Sequence, residues 1–411
     1  MTGILSDVAK IFENTDNKGI PMGILHRIEY LLKHNSILYE GYKFLGSLSL
    51  RCAGVFLKTE NDMVLFTAQR KRYNDSPRAI YQEMVKRGMD RSYHCVWAVD
   101  DPQKYDIPGN ADVIVMDTWQ YFKTALKAKY WVCSVNIERG LHFKKKKTVF
   151  LNTWHCIPTN YMGNAVDGRK DFDWRKTDYI CCSGEYEVPI IIRDCVAYEK
   201  NILRSGLPRN DILYHYTEEM KQELRHRLGI GDQKKVLLYA PTWRDSTDFG
   251  INYELKPPID WEQWRRELED DYVVLMRTHP YTNKLCGIEF DDFILDCSEY
   301  PDVNELLIIA DVLISDYSSI MFDYSILEKP MICFGYDYDE YVKHRGFYFD
   351  LDQDLPNGII RSDREVLDLI QSMDYKEQCG KTRELKDKYI MYGGNATDIC
   401  LKALFSQKTG N

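Results

Sequence analysis

Four short segments carry residues suited to phosphate chemistry, and each follows an apolar run. The first is Asp316-Tyr317-Ser318-Ser319, between Asp311-Val-Leu-Ile-Ser and Ile320-Met-Phe-Asp-Tyr. A strand, a Ser-rich turn and a helix start would present hydroxyls, backbone N–H groups and the positive end of a helix dipole to an anion. A simple helix cap would use the same residues. The second is Arg277-Thr278-His279-Pro280, after Tyr272-Val-Val-Leu-Met. Arg and protonated His are natural partners of a pyrophosphate or of a phosphoryl group in transfer. The third is Pro241-Thr242-Trp243-Arg244-Asp245, after Leu237-Leu-Tyr-Ala, where an Arg–Asp surface pair is the plainer alternative. The fourth is Asn152-Thr153-Trp154-His155, after Thr148-Val-Phe-Leu. A His titrates near neutral pH, so one that faces a cleft can act as a general base, although a lone His is more often structural.

Together these segments fit a transferase. His155 would take a proton from an acceptor hydroxyl, the oxygen would attack phosphorus, and cations would stabilise the leaving nucleotide monophosphate.

Such residues need a frame that brings strand ends together. Strand-like runs at 64–67, 94–99, 111–115, 130–133, 148–152 and 179–183 alternate with amphipathic stretches at 78–88 and 119–129. The rhythm restarts with 235–241, 272–277, 311–315 and 330–334, separated by helical patterns at 260–269, 303–310 and 321–327. Alternating strands and helices imply parallel sheets, here two Rossmann-like halves, whose ligands sit beyond the carboxyl ends of the strands. Residues 1–40 read as a helical N-terminal extension, from Ile24, Leu25, Ile28, Leu31 and Leu32. Residues 41–205 form the first half, on the acceptor and membrane-facing side. Residues 206–411 form the second, donor-binding half, after the turn-rich Gly206-Leu-Pro-Arg-Asn-Asp.

Composition narrows the class. The 411 residues are 44% apolar and 28% charged, which suits a folded chain of more than one core. A net charge of −9 argues against a nucleic-acid partner. The 12 Cys show no zinc-type spacing, so reduced thiols and no structural metal are expected. No apolar run approaches the ~18 residues of a membrane span, and no secretory signal is evident, so membrane contact would be peripheral. The run Lys144–Lys147 could meet anionic lipid or be a solvated loop.

Gly206-Leu-Pro-Arg-Asn-Asp211, Tyr239-Ala-Pro-Thr-Trp-Arg-Asp245, Arg277-Thr-His-Pro280, Ile314-Ser-Asp-Tyr-Ser-Ser-Ile320, Phe322-Asp-Tyr, Lys329-Pro-Met-Ile and Tyr341 with Arg345-Gly346 occur in this order. Tyr73-Asn-Asp-Ser-Pro-Arg78, Ala128-Lys-Tyr-Trp131 and Asn152-Thr-Trp-His155 precede them. Over residues 60 to 390 the chain resembles the CDP-glycerol glycerophosphotransferases of teichoic-acid synthesis. The resemblance implies a GT-B-like α/β fold with an interdomain cleft. It also implies a transferase that passes a polyol phosphate from CDP-glycerol or CDP-ribitol to a polyprenyl-linked or polymer acceptor at the inner membrane face. No tightly bound cofactor is implied, while Mg²⁺ on the donor is compatible with it. His155 falls on the proposed base, and His279 on a second catalytic or phosphate-binding residue. Arg244, Arg277, Thr278, Asp316, Ser318 and Ser319 fall on donor-phosphate positions, and Pro241, Thr242 and Arg345 on further donor-side positions. Where the family usually reads Trp-His-Gly-Thr-Pro, this chain has Trp154-His155-Cys156-Ile157-Pro158. Thr159-Asn160 replaces a frequent Leu-Lys, so the acceptor side is expected to differ. A sugar-nucleotide glycosyltransferase of the same shape, or a catalytically silent member of a wall-synthesis complex, would share many of these features.

Overall fold

A computed structural model describes residues 36–167, 172–242, 244, 254–278, 284–285 and 288–406. Among them, strands β1 (Glu60–Thr67), β2 (His94–Val99), β3 (Ala111–Val115), β4 (Ala128–Cys133), β5 (Val149–Asn152), β6 (Tyr179–Cys182) and β7 (Ile202–Arg204) form one sheet in the order β3-β2-β1-β4-β5-β6-β7. A second sheet takes β8 (Lys235–Tyr239), β10 (Tyr272–Met276), β12 (Ile294–Asp296), β13 (Val312–Ser315), β14 (Met331–Phe334) and β15 (Ile359–Ile360) in the order β12-β10-β8-β13-β14-β15. A short pair, β9 (Glu254–Leu255) and β11 (Lys284–Leu285), lies apart. Every pairing in the two large sheets is parallel.

The strand sequences explain the layering. A parallel sheet covered on both faces needs apolar side chains pointing both ways, hence continuous apolar runs rather than alternation with polar residues. Met63 and Leu65 of β1 enter one core with Val96, Ala98 and Trp131, while Val64 and Phe66 enter the opposite core with Cys95, Trp97 and Val132. In the second sheet Val236 and Leu238 face one core, and Leu237 and Tyr239 the other. The period of two along each strand thus builds two cores from one run.

Each sheet reverses its strand order once, between β1 and β4 and between β8 and β13. Such reversals leave a crevice beyond the strand ends. The Pro241-Thr242 and Asp316–Ser319 segments follow the two strands at the second reversal. Ser134 follows β4 at the first.

The expected alternation of strands and helices is therefore present in both halves. The expected helices also appear, among them Asp75–Lys86, Trp119–Lys127, Trp261–Leu268, Val303–Ile309 and Ile320–Ser325. The apolar residues 24–32 of the anticipated extension lie outside the described residues. The described helix there, Ser36–Phe56, lays Leu50 and Ala53 on the first unit's core.

The halves are tied together more than once. The helix Ala396–Phe405, last in the described chain, packs Cys400, Leu401 and Leu404 into the first unit's core beside Phe66 and Trp97. The crossing that delivers it is held where Met391 N and Tyr392 N donate to Ser183 O, at 2.7 and 2.9 Å. Gly184 permits this close approach, because a Cβ there would strike the Tyr389 carbonyl oxygen. Gly184→Ala is therefore expected to destabilise the protein by ~1–3 kcal/mol through overpacking against backbone. A fall in the urea midpoint checks this, and an unchanged midpoint refutes it.

Candidate active site

Between the two sheets lies a cleft of about 1680 Å³. Its walls come from both halves. His155 lines it together with Pro241, Thr242, Arg277, Thr278, Ser318, Ser319 and Arg345. The expectation that an imidazole of the first half and the phosphate-friendly strand ends of the second share one cleft agrees with this geometry. His279 lies outside the described residues.

His155 follows β5 through a constrained turn. Trp154 has φ 53°, a left-handed conformation that is unusual for a bulky residue. It is held there from two sides: its N–H donates to Asn152 Oδ1 at 2.9 Å, and its ring packs on Trp174 with centroids 4.9 Å apart. Strain of this kind costs ~1–3 kcal/mol and persists where the surroundings over-determine it. The result fixes the next side chain. His155 Nδ1 lies 2.9 Å from the Ser134 carbonyl oxygen. A carbonyl only accepts, so Nδ1 carries the hydrogen and Nε2 keeps its lone pair. Among the described residues Nε2 makes no hydrogen bond. Burial lowers the His155 pKa from its ordinary value, against a raising influence from Asp75. The imidazole is thus neutral at neutral pH, as a general base requires.

Arg209 joins the halves beneath this residue. Its Nη1 donates to Asp75 Oδ1 at 2.8 Å and to the His155 carbonyl oxygen at 2.7 Å. Its Nη2 donates to Asp323 Oδ2 at 2.8 Å, and Asn210 Nδ2 donates to Asp323 Oδ1 at 2.6 Å. Asp75 opens a first-half helix, and Asp323 lies in the helix that follows Ser319. Burial works against the guanidinium charge, but Asp323 and Asp75 outweigh it and hold the group protonated.

On the second-half wall, the expected phosphate ligands divide into two groups. Arg244 does not line the cleft. Its Nε donates to Asp337 Oδ2 at 2.5 Å, its Nη2 to Asp316 Oδ2 at 2.9 Å, and its Nη1 to Thr242 O at 2.7 Å. Tyr317, Tyr336 and Tyr341 rings surround it at 5.3 to 5.4 Å. Asp316 is likewise buried behind the wall, where Oδ1 accepts from Thr242 N at 2.9 Å and Tyr317 N at 2.7 Å. These two residues brace the two switch-point loops against each other, in place of the direct phosphate contact expected of Arg244 and Asp316.

Arg277 does face the cleft. Its Nη1 donates to Cys297 O at 2.8 Å and Tyr300 O at 2.5 Å, and among the described residues no carboxylate lies in ion-pair range. Burial lowers its pKa. Asp302 and Glu299 act on this cation from beyond ion-pair range, and a half-buried cation without a paired carboxylate gains from an anion placed beside it. Thr278, whose Oγ1 lies 2.9 Å from Ser298 Oγ, and the hydroxyls of Ser318 and Ser319 complete the polar surface.

Arg209, Asp75 and Asp323 are site residues that lie outside the four strand-end segments. A signal was present, since all three lie inside conspicuous motifs: Gly206–Asp211, Tyr73–Arg78 and Phe322-Asp-Tyr. Their meeting depends on the packing of three distant segments.

The model of the family described as CDP-glycerol:poly(glycerophosphate) glycerophosphotransferase matches residues 51–406. The chain belongs to this family. It is 30% identical over 376 residues to the teichoic acid glycerol-phosphate transferase of Staphylococcus aureus, covering 85% of this chain and 91% of the relative. It is 34% identical over 338 residues to the teichoic acid poly(glycerol phosphate) polymerase of Staphylococcus epidermidis, covering 77% of this chain and 44% of that longer relative. A structure of a variant of the wall teichoic acid polymerase TagF soaked with CDPG matches with a TM-score of 0.77 and 30% identity, over 85% of this chain and 90% of that one. The fold is the TagF-like GT-B arrangement, and membership in this family makes the chain a transferase.

Removing Arg209 would leave two buried carboxylates facing each other. Arg209→Ala is expected to cost ~3–5 kcal/mol of stability, as for a broken buried ion pair. Arg209→Lys should recover only part, because an ammonium cannot fork to two carboxylates. Chemical denaturation of the three proteins checks the order. Equal stability of wild type and Arg209→Ala would refute it.

Proposed function

We propose that the chain transfers glycerol phosphate from CDP-glycerol to a hydroxyl of a membrane-linked teichoic-acid or capsule-type acceptor and releases CMP. The observation that carries this reading is that a neutral His155 with a free Nε2 and Arg277, which has no ion pair among the described residues, line one cleft. The acceptor hydroxyl gives its proton to His155 Nε2. Its oxygen attacks the phosphorus that bears the glycerol, the bond to the bridging oxygen breaks, and CMP leaves with that oxygen. Arg277, Thr278, Ser318 and Ser319 hold the donor phosphates and meet the charge that develops on the leaving group. Arg345, which lines the same cleft, and His279 share in this phosphate binding. Mg²⁺ would come with the donor's pyrophosphate and offset part of its charge, the wall residues just named being cations and hydroxyls. Glycerol is preferred over ribitol because the Staphylococcus relatives reported above carry glycerol phosphate in their names.

Peripheral attachment to the inner membrane face belongs to the same reading. Among the described residues no helix is long and apolar enough to cross a membrane. The Ser36–Phe56 helix exposes Phe44, Leu45, Leu48, Val55 and Phe56. A groove beside it is lined by Arg51, Lys58 and Lys144–Lys147. The lysine run is divided in its work. Lys144 pairs with Asp178 at 2.9 Å and Lys145 donates to Leu57 O at 2.5 Å, whereas Lys146 and Lys147 are exposed. Exposed basic residues at such a rim each contribute about 1 kcal/mol toward anionic lipid.

The base assignment fixes a pH response. A depressed pKa means that the His155 lone pair is lost only when pH falls below the ordinary histidine value of ~6.5. The acid limb of kcat/KM for CMP release from CDP-glycerol should therefore lie below that value. In His155→Ala turnover should fall by about 10²-fold or more and that limb should vanish. Release of CMP from CDP-glycerol, against CDP-ribitol and against nucleotide release from a UDP-sugar, tests the donor. Wild-type-like turnover in His155→Ala, or turnover of the UDP-sugar alone, would sink the reading.

A further inference from the structure

A group of polar residues on the first-half wall takes no part in the chemistry described so far. It begins at the Asp75–Lys86 helix. Asn74 occupies the N-cap position yet its side chain caps nothing, and its Oδ1 is buried without a hydrogen bond. Asp75 adopts φ 59° and spends Oδ1 on Ser76 N at 2.7 Å and on Arg209, while Oδ2 is buried and unbonded. Arg78, one turn further on, leaves Nε buried and unbonded. Its Nη1 lies 3.3 Å from Asp302 Oδ2 across the cleft, and Arg72 Nη1 lies 3.7 Å from Glu299 Oε2. All six residues line the cleft that holds His155. Native structures seldom leave buried polar atoms unpaired, so three within five residues call for a partner.

We propose that this group seats the end of the acceptor chain, with the polyol hydroxyls on Asn74 and Asp75 and the nearest phosphodiester on Arg78 and Arg72. The inference rests on the transferase reading and adds the ligand chemistry of its acceptor side. Carboxylate and amide oxygens accept from hydroxyls and would repel a phosphate, whereas guanidinium groups only donate and suit phosphate oxygens. Asn74, at the N-cap, and Arg78 are four residues apart, about 6 Å along a helix axis, on the order of one glycerol phosphate unit. The seat therefore offers acceptors for a hydroxyl and, about one turn on, donors for a phosphate, the two groups that a glycerol phosphate end carries. Asp302 and Glu299 hold the two arginines by long, partly exposed ion pairs, which are weak enough to yield to a bidentate phosphate.

Asp302 allows a test whose sign a damaged fold would not mimic. Its side chain also caps the Val303–Ile309 helix by accepting from Asn304 N at 3.0 Å. Asp302→Asn keeps that cap, since Asn serves as well as Asp, but weakens the hold on Arg78. The full chain and its variants are assayed with CDP-glycerol and two acceptors, a synthetic glycerol phosphate oligomer and free glycerol. Oligomer binding without donor is measured by calorimetry. Arg78→Ala should raise the KM for the oligomer about tenfold and leave the KM for CDP-glycerol within about twofold. Asp302→Asn should lower the oligomer KM about two- to fivefold, and free glycerol should show neither change. Calorimetric binding to wild type that is lost in Arg78→Ala supports the seat even if no CMP is released, which would count only against the transferase reading. Normal CMP release by wild type with unchanged oligomer KM and affinity in both variants overturns the seat and leaves the transferase reading standing. Weaker oligomer binding in Asp302→Asn overturns the seat as well.

Discussion

The site depends on one buried guanidinium. Arg209 touches a carboxylate from each half and the backbone of the residue that carries the base. Neither Asp75 nor Asp323 could be buried near the other without it, since two uncompensated carboxylates in low dielectric repel strongly. The contact also has a direction. Arg209 arrives on the segment between the sheets, and its own carbonyl accepts from Asn304 Nδ2 at 2.6 Å. The fork is thus aimed by the second half at the first. A lysine or a water could satisfy one of these partners but not hold three at fixed angles.

The same connection explains why the Trp154–Asn160 segment departs from its family. Ile157 is 1% exposed and belongs to the second half's core, beside Leu213 and Leu238. A small polar residue there would surrender apolar burial between the halves. Thr159 O accepts from Tyr348 N at 3.0 Å, Asn160 Nδ2 donates to Tyr341 Oη at 2.9 Å, and Tyr161 N donates to Gly346 O at 2.8 Å. Thr159 and Asn160 therefore work as an interdomain strap. Cys156 is no substitute nucleophile, because burial pushes its thiol up to about 12. These residues anchor the base segment to the second half, while the His155 ring is held separately through Nδ1 on the Ser134 carbonyl.

Much of this architecture was legible in the residues. Continuous apolar runs ending in Arg, His or Ser-rich turns announced parallel strands with ligands beyond their ends, because both signals are local and carry their own periodicity. Short strands such as β7, β12 and β15 escaped, having two or three residues and no period to read. Arg244 shows a different limit. Its type and place after a strand suit a phosphate ligand equally well, and only the arrival of Asp337, 93 residues on, commits it to the frame. Arg277 has the same local appearance and meets no such carboxylate among the described residues. Sequence gives the valence of a side chain. Packing decides whether that valence is already spent.

That distinction orders the whole cleft. Arg244 and Arg209 are cations each paired with two carboxylates, and they hold loops and halves in register. Among the described residues Arg277 is hydrogen-bonded through carbonyls alone, and Arg78 is held by a 3.3 Å ion pair across the cleft and by the Tyr73 ring. An anion gains little from approaching a satisfied guanidinium and much from one whose burial is uncompensated. The free energy needed to bury the second kind of cation is supplied by the fold through the first kind. A cleft built this way is rigid where charges are paired and receptive where they are not.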